Sequence, residues 1–156
     1  MYENQKMDII NFYRATQALK DSNVIRSSKY TGDIAEFLCS HWLGIKLESS
    51  QNRKGFDGID PSSNNSKVQI KYHGAETGTN IDMRSYKEGD FDDLYVVLSP
   101  NSTIRPDICS SNTFAFFKIK DFFTENKNGK KIDYIATGEL KKAKLMLELD
   151  EKLEKI

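Results

Sequence analysis

At 156 residues the chain is expected to form one domain over 1–156, large enough to bury a core without help from metals or disulfides. Its composition, 38% hydrophobic and 29% charged, is that of a globular chain, and 23 basic against 23 acidic side chains leave no global basic excess of the kind that marks a nucleic-acid binder. No apolar run approaches the roughly 20 residues of a membrane span, and the polar start MYENQKMD is unlike a signal peptide, so a cytoplasmic protein with no membrane partner is expected.

From Met7 to Leu19, Ile9, Ile10, Phe12, Tyr13, Ala15 and Leu19 recur at a spacing that predicts an amphipathic helix. DSNVIRSSKY then reads as a connection. A second helix is predicted from Thr31, capped by Thr31 or Asp33 and ended by Gly44. Its apolar stripe is Ile34, Phe37, Leu38 and Trp42, with Asp33, Glu36 and Ser40 on another face. Beyond Gly44 the period changes. Strands are predicted at Ile45–Glu48, Phe56–Asp60 and Lys67–Tyr72, the last two joined by the polar turn PSSNNS. Gly74, Gly78 and Gly89 confine any helix in the next stretch to a short one around Ile81–Lys87. DLYVVLSP is a nearly continuous apolar run, as expected of a strand covered on both faces, and the residues between Tyr72 and Asp93 are enough for the crossover that a parallel neighbour requires. FAFFKIK predicts a further strand, TENKNGKK a turn, and Ile132–Ile135 a short strand. From Gly138, Leu145, Leu149, Leu153 and Ile156 predict a C-terminal helix capped by Thr137, which also offers a homodimer seam.

Several chemistries lack their motifs. His41 and His73 are the only histidines and no HExxH or Cys/His cluster occurs, which argues against a catalytic zinc. Cys39 and Cys109 read as buried thiols. P-loop, dinucleotide and GxSxG signatures are absent. What remains is the stretch GFDGIDPSSNNSKVQIK. Gln69 and Lys71, two apart on a strand, share a polar face, with Val68, Ile70 and Tyr72 on the opposite face. Asp57 and Asp60, three apart, point to opposite faces of theirs, so only one can share the side of Gln69 and Lys71. Carboxylates, an amide oxygen and a lysine are the groups that hydrolysis of a phosphodiester uses: oxygen ligands for a hard cation and a charge that stabilises the transition state.

A helix carrying Glu36, a strand, the Asp57 strand, a short turn, Gln69-x-Lys71, a crossover and a buried strand together resemble the restriction-endonuclease-like nucleases of the PD-(D/E)xK superfamily, in a QxK form. The likeness spans about 31–100, and is sharpest from GFDGID to VQIK. It implies an α/β fold with a central mixed β-sheet flanked by helices, an αβββαβ core, to which 101–156 add strands and a C-terminal helix. It implies Asp57, Gln69 and Glu36 as ligands of Mg2+, for which Mn2+ can substitute, and Lys71 as the motif lysine. Asp60 is the alternative ligand. The implied activity is endonucleolytic cleavage of DNA, in restriction, defence or repair. The alternatives are a catalytically weakened DNA-binding module and an accessory subunit of a larger nucleic-acid-processing system. Gln69 in place of Asp or Glu removes one negative charge, and Phe56 stands where the name-giving proline would be. Arg26, Lys29, Arg53, Lys54 and Arg84 are the candidate DNA contacts.

Overall fold

A computed structural model describes residues 3–26, 29–49, 55–124, 131–150 and 152–156. The chain is α/β. A six-stranded mixed sheet has the order β1-β2-β3-β5-β6-β8, formed by Lys46–Leu47, Gly58–Asp60, Ser66–His73, Asp93–Leu98, Phe114–Ile119 and Lys144–Leu149. A two-stranded sheet joins β4 (Ile81–Asp82) to β7 (Tyr134–Ile135). Helices are α1 (Glu3–Asp21), α2 (Tyr30–Leu43) and the five-residue α3 (Thr137–Lys141). None of the described helices is long and apolar enough to cross a membrane.

The run DLYVVL is buried throughout and forms β5, in the interior of the sheet between β3 and β6. It is parallel to β3 and antiparallel to β6, so the expected crossover from Tyr72 to Asp93 exists. Its alternate residues feed two cores. Tyr95 and Val97 face α2 with Ala35, Leu38, Cys39, Val68 and Ile70, while Leu94, Val96 and Leu98 face Ile81, Met83, Phe91, Ile135 and Leu140.

Helix α1 covers its predicted span, though Ala15 is exposed and Thr16 buried; the side chains of Ile9, Ile10, Phe12 and Tyr13 lie outside the described set. Helix α2 ends where expected, at Gly44 with φ 71°. Its start differs: Lys29 is the cap residue, with no side-chain cap bond among the described residues, and Asp33 accepts a 2.6 Å hydrogen bond from the Arg26 amide, which fastens the preceding loop. Its buried face is Asp33, Ala35, Leu38 and Cys39, so Phe37 is turned out and stacks on His41. Cys39 is buried as expected, whereas Cys109 is only half-buried.

Two expected helices differ in the structure. No helix forms at Ile81–Lys87; the crossover carries the short 3-10 turn Ala75–Thr77, β4, and tight turns through Asp90. The C-terminal helix starts close to where it is expected, as α3 at Thr137–Lys141 with Ala136 and not Thr137 as the cap residue, but among the described residues of 145–156 it does not continue. Lys144–Leu149 is β8, paired with β6, and the proposed dimer seam does not exist as a helix. The pairing contains a bulge. Phe116 pairs with Leu147 and Phe117 with Leu145, so Met146 is the extra residue, and Leu145 joins one core while Leu147 and Leu149 join the other. Leu145, Leu147 and Leu149 alternate as the residues of a strand do, while Leu145, Leu149, Leu153 and Ile156, three or four apart, also fit a helical stripe, and pairing with β6 decides between the two. The turn TENKNGKK falls largely outside the described residues.

Strands β2, β3, β5 and β6 are tied together by buried charge. Lys118 Nζ lies 3.2 Å from Asp60 Oδ2 and 3.3 Å from Asp93 Oδ2. Asp60 also accepts from Tyr95 Oη at 2.7 Å and from the amide and hydroxyl of Ser62 at 2.9 and 2.7 Å. Asp93 accepts from Ser66 Oγ at 2.8 Å and the Asp121 amide at 2.9 Å. Burial pushes the Asp60 carboxyl up, but the bonds from Ser62, Tyr95 and Lys118 outweigh it and hold it below the ordinary carboxylate value. Removing the one cation strands two buried carboxylates. Lys118→Met should therefore cost about 3–5 kcal/mol in urea unfolding with an unchanged slope. Because the Asp60 pKa is depressed in the fold, its contribution is complete above the unfolded value of about 4 and is lost as pH falls through the folded one. The penalty of Asp60→Asn should accordingly shrink below about pH 4.

Candidate active site

The site is made where β2 leaves β3. The ladder runs from Asp60↔Ser66 to Gly58↔Val68, and the Asp57 amide makes a last bond to the Val68 carbonyl at 2.8 Å. Beyond it the Ile70 amide would lack a partner strand. Asp57 supplies the acceptor: its Oδ2 takes the Ile70 N–H at 2.7 Å and Gln69 Nε2 at 2.6 Å. The Asp57 carbonyl accepts from the Glu48 amide at 2.9 Å, so its backbone is held from both sides. Glycines allow this close approach. A Cβ on Gly58 would lie 2.7 Å from the Lys46 carbonyl oxygen, and Gly55, at φ 94°, would place one 2.7 Å from Asp90 Cβ.

The divergence opens a cleft of about 620 Å³ whose walls include Glu36, Asp57, Gln69, Lys71, Lys29 and Tyr86. Helix α2 brings Glu36 to it from the Val68–Ile70 side of the sheet, and β3 brings Gln69 and Lys71 on its other face. All four residues singled out by the sequence thus line one cavity. Asp60 does not; its two oxygens are committed to Ser62, Tyr95 and Lys118, as the opposite-face argument for a strand requires.

Burial dominates the electrostatics where the carboxylates of the cleft meet. Burial, then repulsion from Asp57, raise the Glu36 carboxyl to about 7, against the pull of Arg26, whose Nη2 sits 2.6 Å from Glu36 Oε2. Burial likewise raises Asp57, opposed first by the Ile70 amide and then by Lys71, Arg26 and Gln69. Among the described residues no three of His, Cys, Asp and Glu converge as ligands. Two crowded carboxylates with a neutral amide oxygen nearby nevertheless fit one hard divalent cation of the kind that binds through one or two carboxylates and retains water.

The candidate DNA contacts divide. Lys29 lines the cleft. Arg26 is engaged with Glu36 and with the Glu48 carbonyl at 3.3 Å. Arg84 is exposed but forked onto Asp82, at 2.9 and 3.1 Å, with its guanidinium over the Tyr134 ring. Arg53 and Lys54 lie outside the described residues. Sequence reasoning missed Tyr86, because it falls in the segment predicted as a helix, and missed the Arg26–Glu36 pair, which joins a loop to a helix ten residues on.

The raised Glu36 pKa has a sign that can be checked. A carboxyl that binds its proton more tightly in the fold makes stability fall as pH rises from the unfolded value, about 4.3, to the folded one near 7. Glu36→Gln mimics the protonated form, so relative to wild type it should gain about 2 kcal/mol between pH 5 and pH 8, the full linkage value being discounted for partial solvent screening. Urea unfolding at the two pH values measures it. Compared with known proteins, the chain matches no protein-family model and no curated protein sequence.

Proposed function

We propose that the protein is a metal-dependent nuclease that hydrolyses DNA phosphodiester bonds, with a restriction-endonuclease-like fold. The observation that carries this reading is the meeting of Glu36, Asp57, Gln69 and Lys71 in one open cleft, with Asp57 clamped by the Ile70 amide at 2.7 Å. The order α2, β1, β2, β3, crossover, β5, with β3 and β5 parallel, supports the fold. The crossover departs from the αβββαβ pattern, since it carries a 3-10 turn and β4 where that pattern has a helix.

Glu36, Asp57 and the Gln69 amide oxygen are the groups that would hold Mg2+, or Mn2+ in its place. When bound, that ion supplies polarisation of the phosphate and acidification of water. The chain's own part is positioning and charge. The Ile70 amide fixes the carboxylate plane of Asp57, and the Glu48 amide fixes its backbone. The Lys71 ammonium, on the same strand, stabilises negative charge developing on the phosphoryl oxygens. Lys29 on the cleft wall offers a second cation to the DNA backbone.

One observation favours a second reading. Gln69 donates its amide to Asp57 Oδ2, using an oxygen that a metal would otherwise share. A DNA-binding module with a weakened site would then show salt-dependent affinity that EDTA leaves unchanged, and no cleavage.

Plasmid DNA incubated with Mg2+ or Mn2+ tests the choice. Wild type should nick or linearise it, EDTA should abolish this, and Asp57→Ala and Lys71→Ala should each lose about 100-fold or more in rate. Equal activity, or equal inertness, of wild type and both variants overturns the assignment.

A further inference from the structure

We propose that Tyr86 is the positioning residue for Lys71, holding its ammonium at the Asp57 cleft through the face of the ring; this role rests on the nuclease reading above. Lys71 Nζ lies 4.7 Å from the Tyr86 ring centroid, and both side chains line the cleft that contains Glu36, Asp57 and Gln69. Among the described residues the Lys71 ammonium makes no hydrogen bond or close ion pair, so the ring is the contact that holds its otherwise flexible stem.

The ring itself is packed and anchored. It meets Phe91 edge-on at 5.5 Å and 78°, and Phe91 is buried against Phe122 and Phe123 with centroids 5.3 and 4.9 Å away. The Tyr86 amide bonds to the Met83 carbonyl at 3.2 Å, and the Met83 amide to the Asp133 carbonyl at 2.8 Å, which anchors the turn to the β4–β7 sheet. A path of packed and bonded groups therefore runs from the core to the Lys71 ammonium.

An aromatic face suits this task better than a carboxylate does. It attracts the cation through its quadrupole without neutralising it, and it takes none of the three N–H donors. Lys71 is left charged, localised and able to donate into the cleft, as a group that stabilises a developing oxyanion must be. The rest of the crossover explains why Tyr86 can do this. Had residues 81–87 formed a helix, Met83 would not reach the Asp133 strand that holds the turn over the cleft.

The test compares Tyr86→Leu, which removes the π face, with Tyr86→Phe, which keeps it. NMR of the Lys71 methylene protons reads the contact directly. Their upfield ring-current shift should be lost in the leucine variant and kept in the phenylalanine variant. Under saturating DNA and Mg2+, kcat should fall about tenfold in Tyr86→Leu with KM little changed, and return to near wild type in Tyr86→Phe. A Lys71 shift that is the same in wild type and Tyr86→Leu overturns the proposal whatever the activity. So does full activity in Tyr86→Leu, or a Tyr86→Phe variant as impaired as the leucine one, which would assign the role to the hydroxyl. A wild type that cleaves nothing, with the ring-current shifts as expected, overturns the nuclease reading and with it this role, and is distinguished from the first outcome by the NMR.

Discussion

Lys118 between Asp60 and Asp93 is the interaction on which the arrangement of the sheet depends. One ammonium bridges carboxylates of β2 and β5 from its place on β6, and Ser66 of β3 bonds to the same Asp93. Burying such a set gives little net stability over apolar packing, since desolvation offsets the Coulomb gain. Its effect is on register. A slip of one residue in β2, β5 or β6 would carry a charge to the opposite face and into an apolar core, so wrong pairings are penalised far more than the right one is rewarded.

That register determines where chemistry can occur. With Asp60 paired to Ser66 and Gly58 to Val68, Asp57 arrives opposite the first part of β3 that β2 no longer covers. There it does with a side chain what a further strand residue would have done with a carbonyl, and accepts the Ile70 amide. The sheet thus ends one of its ladders on a carboxylate. The opening created by that ending is the cleft, and α2 and β3 deliver Glu36 and Lys71 into it because both are already packed against the same core.

What was legible in the sequence was whatever local periodicity or spacing records. Gln69-x-Lys71, Asp57 twelve residues before Gln69, and the apolar run of β5 carry their geometry in the chain itself, and the structure brings the four named residues together. Interactions between distant segments left no such trace. The Asp60–Lys118 contact joins residues 58 apart, and nothing near Asp60 distinguishes a buried partner from a turn residue. The same limit explains β8, whose bulge at Met146 is imposed by pairing with β6, and the crossover, where β4 exists only because β7 pairs with it. Tyr86 was invisible for that reason: a tyrosine in a glycine-rich connection becomes part of a site only when a strand more than 40 residues later holds the turn in place.

Gln69 then takes on a meaning that a motif comparison alone would miss. Burial already raises both the Asp57 and Glu36 carboxyls, with repulsion from Asp57 adding to the rise at Glu36 and Arg26 and Lys71 as the compensating cations. A carboxylate at position 69 would put a third negative charge at hydrogen-bond distance from Asp57, where the amide now donates at 2.6 Å. Without a bound cation that arrangement would force protonation or open the cleft. The glutamine instead supplies a donor where a carboxylate would repel, and that donor orients Asp57 together with the Ile70 amide. On the proposed nuclease reading, a cation entering the site would meet a preformed pair of carboxylates. That reading would sacrifice affinity and keep geometry, and in a reaction driven by positioning and electrostatics it is geometry that the rate depends on.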